Sequence, residues 1–275
     1  MARDKRPRGL PPGLHYDRGF VGPADRARIL AWLDALHPLW ELRFSEHRPL
    51  PEGQTQRPLL RPVYWLGNWQ FACLGYYRPP HGLVDRAVEA EPFPPVLAAL
   101  VARIEKIAHR MFRGPDMPAA WHLNTCLVNF YGARLDEGRW IDTARVGEHK
   151  DFEPGPVASV SLGERALFQF VSDTRGHESV VLQQWLDDGS LQIFGGDRWK
   201  KRTFHRVQRV DRREKIELPP QITGFVTRRV NFTFRYVPDQ HVIPYRSLSP
   251  DARRDVERYV RELATHSPFF ASALR

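Results

Sequence analysis

The chain has 275 residues, 42% of them hydrophobic, and a formal net charge of +9, which fits a soluble globular protein of one large or two modest domains. Two cysteines, Cys73 and Cys126, exclude a disulfide framework or a cysteine zinc site and read as reduced core residues of a cytoplasmic protein. No apolar run reaches membrane-spanning length, and the basic balance fits either a polyanionic partner such as nucleic acid or a generally arginine-rich surface.

Residues 1–14, rich in Pro, Gly and Arg, read as a disordered basic arm without the apolar stretch of a signal peptide. After Pro23, the spacing of Ile29, Leu30, Leu33 and Leu36 predicts a helix over 24–36. A Pro- and Arg-containing connection over 40–62 is expected to hold a strand around Trp40–Phe44. The segment 62–80 crowds Tyr64, Trp65, Trp69, Phe71, Tyr76 and Tyr77 between turn signals. These rings are either hairpin core or a face on which a base stacks. An amphipathic helix is predicted over 94–112, with His109 at its surface.

The next segment enters the sheet, with Leu123, Cys126 and Val128 predicted buried and Asn129 and Tyr131 on one strand face. A loop is expected over 132–148, carrying Arg134, Arg139 and Arg145 beside Asp136, Glu137 and Asp142. His149 and Asp151, two residues apart, share a side of an extended segment, and Glu153 continues that side. Core strands are expected at SVSLG, ALFQF and SLQIFGG, separated by a turn at Gly163 and a polar loop around 173–179 with an exposed His177. His205 lies within a basic run of Lys200, Lys201, Arg202, Arg206, Arg209, Arg212 and Arg213, which reads as a solvated face or as phosphate contacts. His149, Asp151 and His205 would give two imidazoles and a carboxylate, a ligand set that suits a non-haem Fe(II) oxygenase.

In the strand 229–235, alternation puts Arg229, Asn231, Thr233 and Arg235 on one face and Val230, Phe232 and Phe234 on the other. The polar face is either an edge in water or the inside of a barrel, where the arginines would need an anion. A capped helix from about Pro250 is expected to pack through Val256, Tyr259, Val260 and Leu263, as an appendage without evident chemistry.

NFYG at 129–132, HKD at 149–151, SVSLGERALFQF at 159–170, His205 and RVNFTFR at 229–235 resemble, in order and over residues 123 to 238, the AlkB family of 2-oxoglutarate- and Fe(II)-dependent dioxygenases. The resemblance implies a mainly β fold with flanking helices, built on a double-stranded β-helix (jelly-roll) core over 123–240. Residues 15–122 would supply N-terminal helices and a nucleotide-recognition lid, and 241–275 a helical appendage, all in one integrated catalytic domain. It implies Fe(II) on His149, Asp151 and His205, and 2-oxoglutarate against Asn129, Tyr131, Arg229, Asn231 and Arg235, its far carboxylate near Arg229. O2 would take the remaining position on the metal. Trp69 and Tyr76 would be lid residues over the substrate base, and Glu153 would meet the base's polar edge. The 132–148 segment is longer than the family's loop.

The activity so implied is oxidative demethylation of 1-methyladenine or 3-methylcytosine type lesions in DNA or RNA, as in alkylation repair, with release of formaldehyde, succinate and CO2. The alternatives are a hydroxylase of the same fold acting on modified tRNA, protein or a small molecule, and a non-catalytic nucleic-acid-binding module. The expected partner is alkylated nucleic acid, with no membrane, no obligate protein partner and a monomeric state.

Overall fold

The computed structural model describes residues 9–75, 87–172, 179–208 and 216–275. Tyr76, Tyr77, His177, Arg209, Arg212, Arg213 and most of the N-terminal arm lie outside the described residues. The N-terminal part runs β1 (Leu14–Asp17), α1 (Pro23–Asp34), β2 (Val63–Leu66), β3 (Asn68–Gln70), β4 (Ala87–Glu89) and α2 (Pro95–Met111). The middle follows as β5 (Thr125–Asp136), β6 (Arg139–Asp142), β7 (Val146–His149), β8 (Val157–Gly163), β9 (Ala166–Ser172), β10 (Val180–Leu186) and β11 (Leu191–Phe194). The chain ends with α3 (Gly196–Lys200), β12 (Thr203–Gln208), β13 (Phe225–Arg235), β14 (Val242–Ile243), α4 (Pro250–Ala264) and α5 (Pro268–Ala273).

Among the described residues the larger sheet has the order β1-β11-β8-β13-β5-β2, with β6 also on β5; a four-stranded sheet has the order β10-β9-β12-β7, and a third, of three strands, the order β14-β4-β3. The first two face one another as a jelly roll, and rings from both, Phe168, Phe170 and Phe194, meet between them. The period-2 pattern of β13 explains its place at the centre of the larger sheet. Val230, Phe232 and Phe234 are fully buried on the helix-covered side, where Trp32 and Phe93 meet the two phenylalanines. Helix α2 lies on that side through Leu97, Leu100, Val101, Ile104 and Ala108, a stripe at helical spacing. Both α1 and α2 start with Pro in the first turn, where the missing N–H costs nothing.

Two local expectations differ from the structure. Residues 40–44 form no strand; the segment makes only isolated bridges, Leu39 to Val63 and Leu42 to Pro58. Pro38, Pro58 and Pro62 lack donors, so a ladder cannot propagate there. The expected loop over 132–148 is instead mostly strand. Strand β5 runs on to Asp136 and turns back as β6 through Glu137 and Gly138, both at positive φ (47° and 77°), as a tight hairpin requires.

Helix α4 does more than cap the fold. Ser249 caps it by accepting from the Ala252 amide, and its buried Asp255 accepts from the Ser45 hydroxyl and the Glu46 amide. The Tyr259 hydroxyl accepts from the Leu42 amide at 2.7 Å. Helix α4 thereby pins the start of the segment that carries Arg43, Arg57 and Arg61. No helix among the described residues is long and apolar enough to cross a membrane.

Candidate active site

A cavity of about 620 Å3 lies between the two sheets, and the polar face of β13, Arg229, Asn231, Thr233 and Arg235, forms one wall. Opposite stand β7 and β12, whose antiparallel register places His205 directly across from His149, with ring centres 4.2 Å apart. Asp151 follows β7, and its Oδ2 lies 3.3 Å from His205 Nε2. One ligand atom from each of His149, Asp151 and His205 lies within 4.8 Å of the others, the one such grouping among the described residues. Sequence placed two of these on one extended segment; the strand pairing brings the third.

The surroundings keep His149 and Asp151 in the form that binds a metal. Burial, then the neighbouring His205, push His149 down to about 4, so its imidazole is neutral. Its Nδ1 lies 2.8 Å from the Gly147 carbonyl, which leaves Nε2 for a ligand role. Burial works to raise the Asp151 pKa, but Arg235, His205 and Lys200 outweigh it and hold the carboxyl well below its ordinary range. Arg235 is the largest of these: its Nε and Nη2 each lie 2.8 Å from Asp151 Oδ1. Phe168 stacks along His205 at 5.5 Å and Phe194 meets it edge-on at 5.1 Å, which screens the site from water. Two imidazole nitrogens and one carboxylate oxygen converging in a cavity fit Fe(II) with open positions.

Further along the wall, Arg229 is 3% exposed and donates from Nη2 to Ser161 Oγ, while its Nε and Nη1 are buried without a hydrogen-bond partner. A bulge in β13 between Thr227 and Arg229 separates it from Arg228, which pairs with Asp142 and Glu164. Asn231 is satisfied locally: Nδ2 donates to Ser159 Oγ and the Val160 carbonyl, and Oδ1 accepts from Thr233. Asn129 and Tyr131 line the same cavity. Arg61, which no sequence pattern singled out, donates from Nε to Asn129 Oδ1 at 2.8 Å. Glu153 is buried beside Arg235, its Oε2 3.7 Å from Nε, and its carbonyl accepts from Lys200 Nζ.

The structure does not bring Trp69 to the cavity. The indole is 2% exposed, stacks on Phe71 at 4.3 Å and donates to Glu41 Oε1 at 2.9 Å, so its faces lie in core. The partner that holds it there is a carboxylate 28 residues upstream, beyond the reach of local pattern. Tyr76, the other expected lid residue, lies outside the described residues. The basic run around His205 is not a uniform solvated face: Lys200 turns inward to Glu153, Arg206 pairs with Glu148, and Lys201 and Arg202 pair with Asp197.

The sequence profile of the 2OG-Fe(II) oxygenase superfamily matches residues 13–235. The chain belongs to that superfamily. The enzyme is therefore a dioxygenase, and its family and His-Asp-His triad fit Fe(II), 2-oxoglutarate and O2. Among solved structures the oxygenase is similar to OsALKBH1, with 22% identity over 83% of this chain and 100% of that one and a TM-score of 0.49. It is also similar to YcfD, a ribosomal oxygenase from Escherichia coli, at 10% identity over 82% of this chain and 49% of that one, TM-score 0.36. A bsmA homologue from Methylobium petroleophilum PM1 aligns at 12% identity over 78% and 82% of the two chains, TM-score 0.37. No curated protein matches the chain.

Proposed function

We propose that this dioxygenase removes N-alkyl groups of the 1-methyladenine or 3-methylcytosine type from nucleic acid, with His149, Asp151 and His205 as iron ligands. The observation that carries this reading is the cavity itself: a ligand triad in its lining and a cationic, partly apolar mouth. Arg43, Arg57 and Arg145 line the mouth, are exposed and make no ion pair with the described residues. Between them Leu60 and Phe152, 46% and 51% exposed, offer apolar surface on which an extruded base can lie. The motif resemblance to the AlkB family supports the same substrate class.

The bound iron, 2-oxoglutarate and O2 together supply oxygen insertion at the N-alkyl carbon, with formaldehyde, succinate and CO2 as products. The chain's own residues bind and orient. Arg235 keeps Asp151 ionised, Arg229 receives the co-substrate's far carboxylate, and Asn129, Tyr131 and Asn231 shape that end of the pocket. Glu153, held by Lys200 and Arg235, faces the polar edge of the base. Phe168 and Phe194 exclude water around His205.

Anaerobic loading with Fe(II), followed by O2, 2-oxoglutarate and a panel of methylated DNA and RNA oligonucleotides, tests the reading. Succinate and formaldehyde are expected to rise together with a methylated strand. Succinate without formaldehyde across the panel overturns the demethylase and points to a hydroxylase of another substrate.

The mouth gives a separate prediction. Changing Arg43 and Arg57 together to glutamine is expected to flatten the salt dependence of single-strand binding by about 1.4 in the log–log slope, roughly 0.7 for each phosphate no longer neutralised. Fluorescence anisotropy over a salt series measures it, and a slope equal to that of the parent protein removes these arginines from the interface.

A further inference from the structure

Tyr131 stands between two arginines. Strand β13 pairs Arg229 with Tyr131, and on the other edge of β5 strand β2 pairs Val63 with Asn129, which brings Arg61, two residues earlier, alongside Tyr131. Cζ of Arg61 lies 4.8 Å from the centre of the tyrosine ring and Cζ of Arg229 lies 4.9 Å from it. All three side chains line the cavity. Arg61 spends Nε on Asn129, and Arg229 spends Nη2 on Ser161. Neither guanidinium has a carboxylate partner among the described residues, and two of the Arg229 nitrogens are buried with nothing to donate to.

Two cations flanking one phenol inside a cavity repel each other and lack counter-charge, an arrangement that is costly until an anion enters. One arginine suffices to neutralise one carboxylate; this row has two. We infer that Arg61 is a second anchor for the far carboxylate of 2-oxoglutarate, gripping it with Arg229 from the opposite side of Tyr131. The inference rests on the placement of that carboxylate at Arg229. It makes the pocket selective for a 2-oxo diacid over a 2-oxo monoacid of the same length, because only the diacid satisfies the pair. It also gives the Arg61–Asn129 bond a role: it engages Nε alone and holds the guanidinium beside Tyr131.

The test is a ligand comparison by calorimetry on the full chain loaded with Fe(II) and kept anaerobic, so that binding is read without turnover. The ligands are 2-oxoglutarate and 2-oxopentanoate, which lacks the far carboxylate. Arg61→Gln is expected to weaken 2-oxoglutarate at least about tenfold, the effect of one lost charge-assisted hydrogen bond, and 2-oxopentanoate by less than about twofold. Arg61→Lys is expected to recover part of the loss, since charge returns without the fork. An equal loss for both ligands means that Arg61 only positions Asn129, and no loss for either means that it is a bystander; each outcome overturns the inference. Arg229→Gln in the same assay separates the layers. If Arg229 discriminates the two ligands and Arg61 does not, only this inference falls. If neither does, the placement of the co-substrate falls with it.

Discussion

Asp151→Ala is expected to abolish both iron retention and 2-oxoglutarate turnover, and to lower stability as well. The alanine removes one of three donors, and the loss of metal affinity should exceed ~100-fold, since removing groups that merely orient ligands already costs about 10- to 100-fold. It also strips Arg235 of its main partner: Nε and Nη2 both lie 2.8 Å from the lost oxygen, in a side chain that is 8% exposed. Breaking a buried ion pair from one side costs about 3–5 kcal/mol, because the remaining charge stays behind. Asp151→Asn separates the two effects. The amide oxygen still accepts from Arg235, so the variant is expected to fold, while the missing charge leaves the metal weakly held. Iron content after anaerobic loading and desalting, read beside thermal unfolding, checks both. Stoichiometric iron in a folded Asp151→Asn protein would undo the ligand assignment.

Much of this site was legible where the information is local. The alternation in RVNFTFR states which side chains share a face, and the structure puts the polar set in the cavity and the apolar set in the core. The HxD spacing likewise places His149 and Asp151 together. His205 is different: it reaches the pair only through the register of β12 on β7, a tertiary fact that motif order supplied and periodicity could not. What escaped depends on long-range partners. Arg61 looked like one cation in a Pro-rich connection, because its neighbours Asn129 and Tyr131 arrive from a strand 68 residues or more away. Helix α4 read as an appendage, yet its Asp255 holds Ser45 and Glu46 over more than 200 residues of chain. Trp69 read equally well as core or as lid. Its ring N–H decided the matter by finding a buried acceptor.

That acceptor, Glu41, is the group whose loss should damage the fold most. It is 1% exposed; Oε1 accepts from the indole N–H groups of Trp65 and Trp69, and Oε2 from the Ala72 amide, each at 2.9 Å. Glu41→Ala leaves three buried donors without a partner, at about 1–3 kcal/mol each, a sum comparable with the whole stability of many domains. The variant is expected to be largely unfolded, or insoluble, when expressed. Glu41→Gln gives the sharper measurement. Burial raises the Glu41 pKa from 4.5 to about 7, against the lowering effect of its hydrogen bonds. The folded chain thus binds a proton that the unfolded chain has released between those two values. Stability from this group is therefore fully present below about pH 4.5 and declines as pH rises to about 7, by roughly 3 kcal/mol in all. Glutamine cannot titrate, so the parent's advantage over Glu41→Gln should fall by roughly 3 kcal/mol across that window and change sign within it. Glutamine also turns an amide N–H toward the Ala72 N–H, which costs about 1–2 kcal/mol at every pH. Urea unfolding at half-unit steps from pH 4.5 to 8 reads both quantities. A difference that stays constant across the window would mean that Glu41 is ionised throughout, with its three donors outweighing burial.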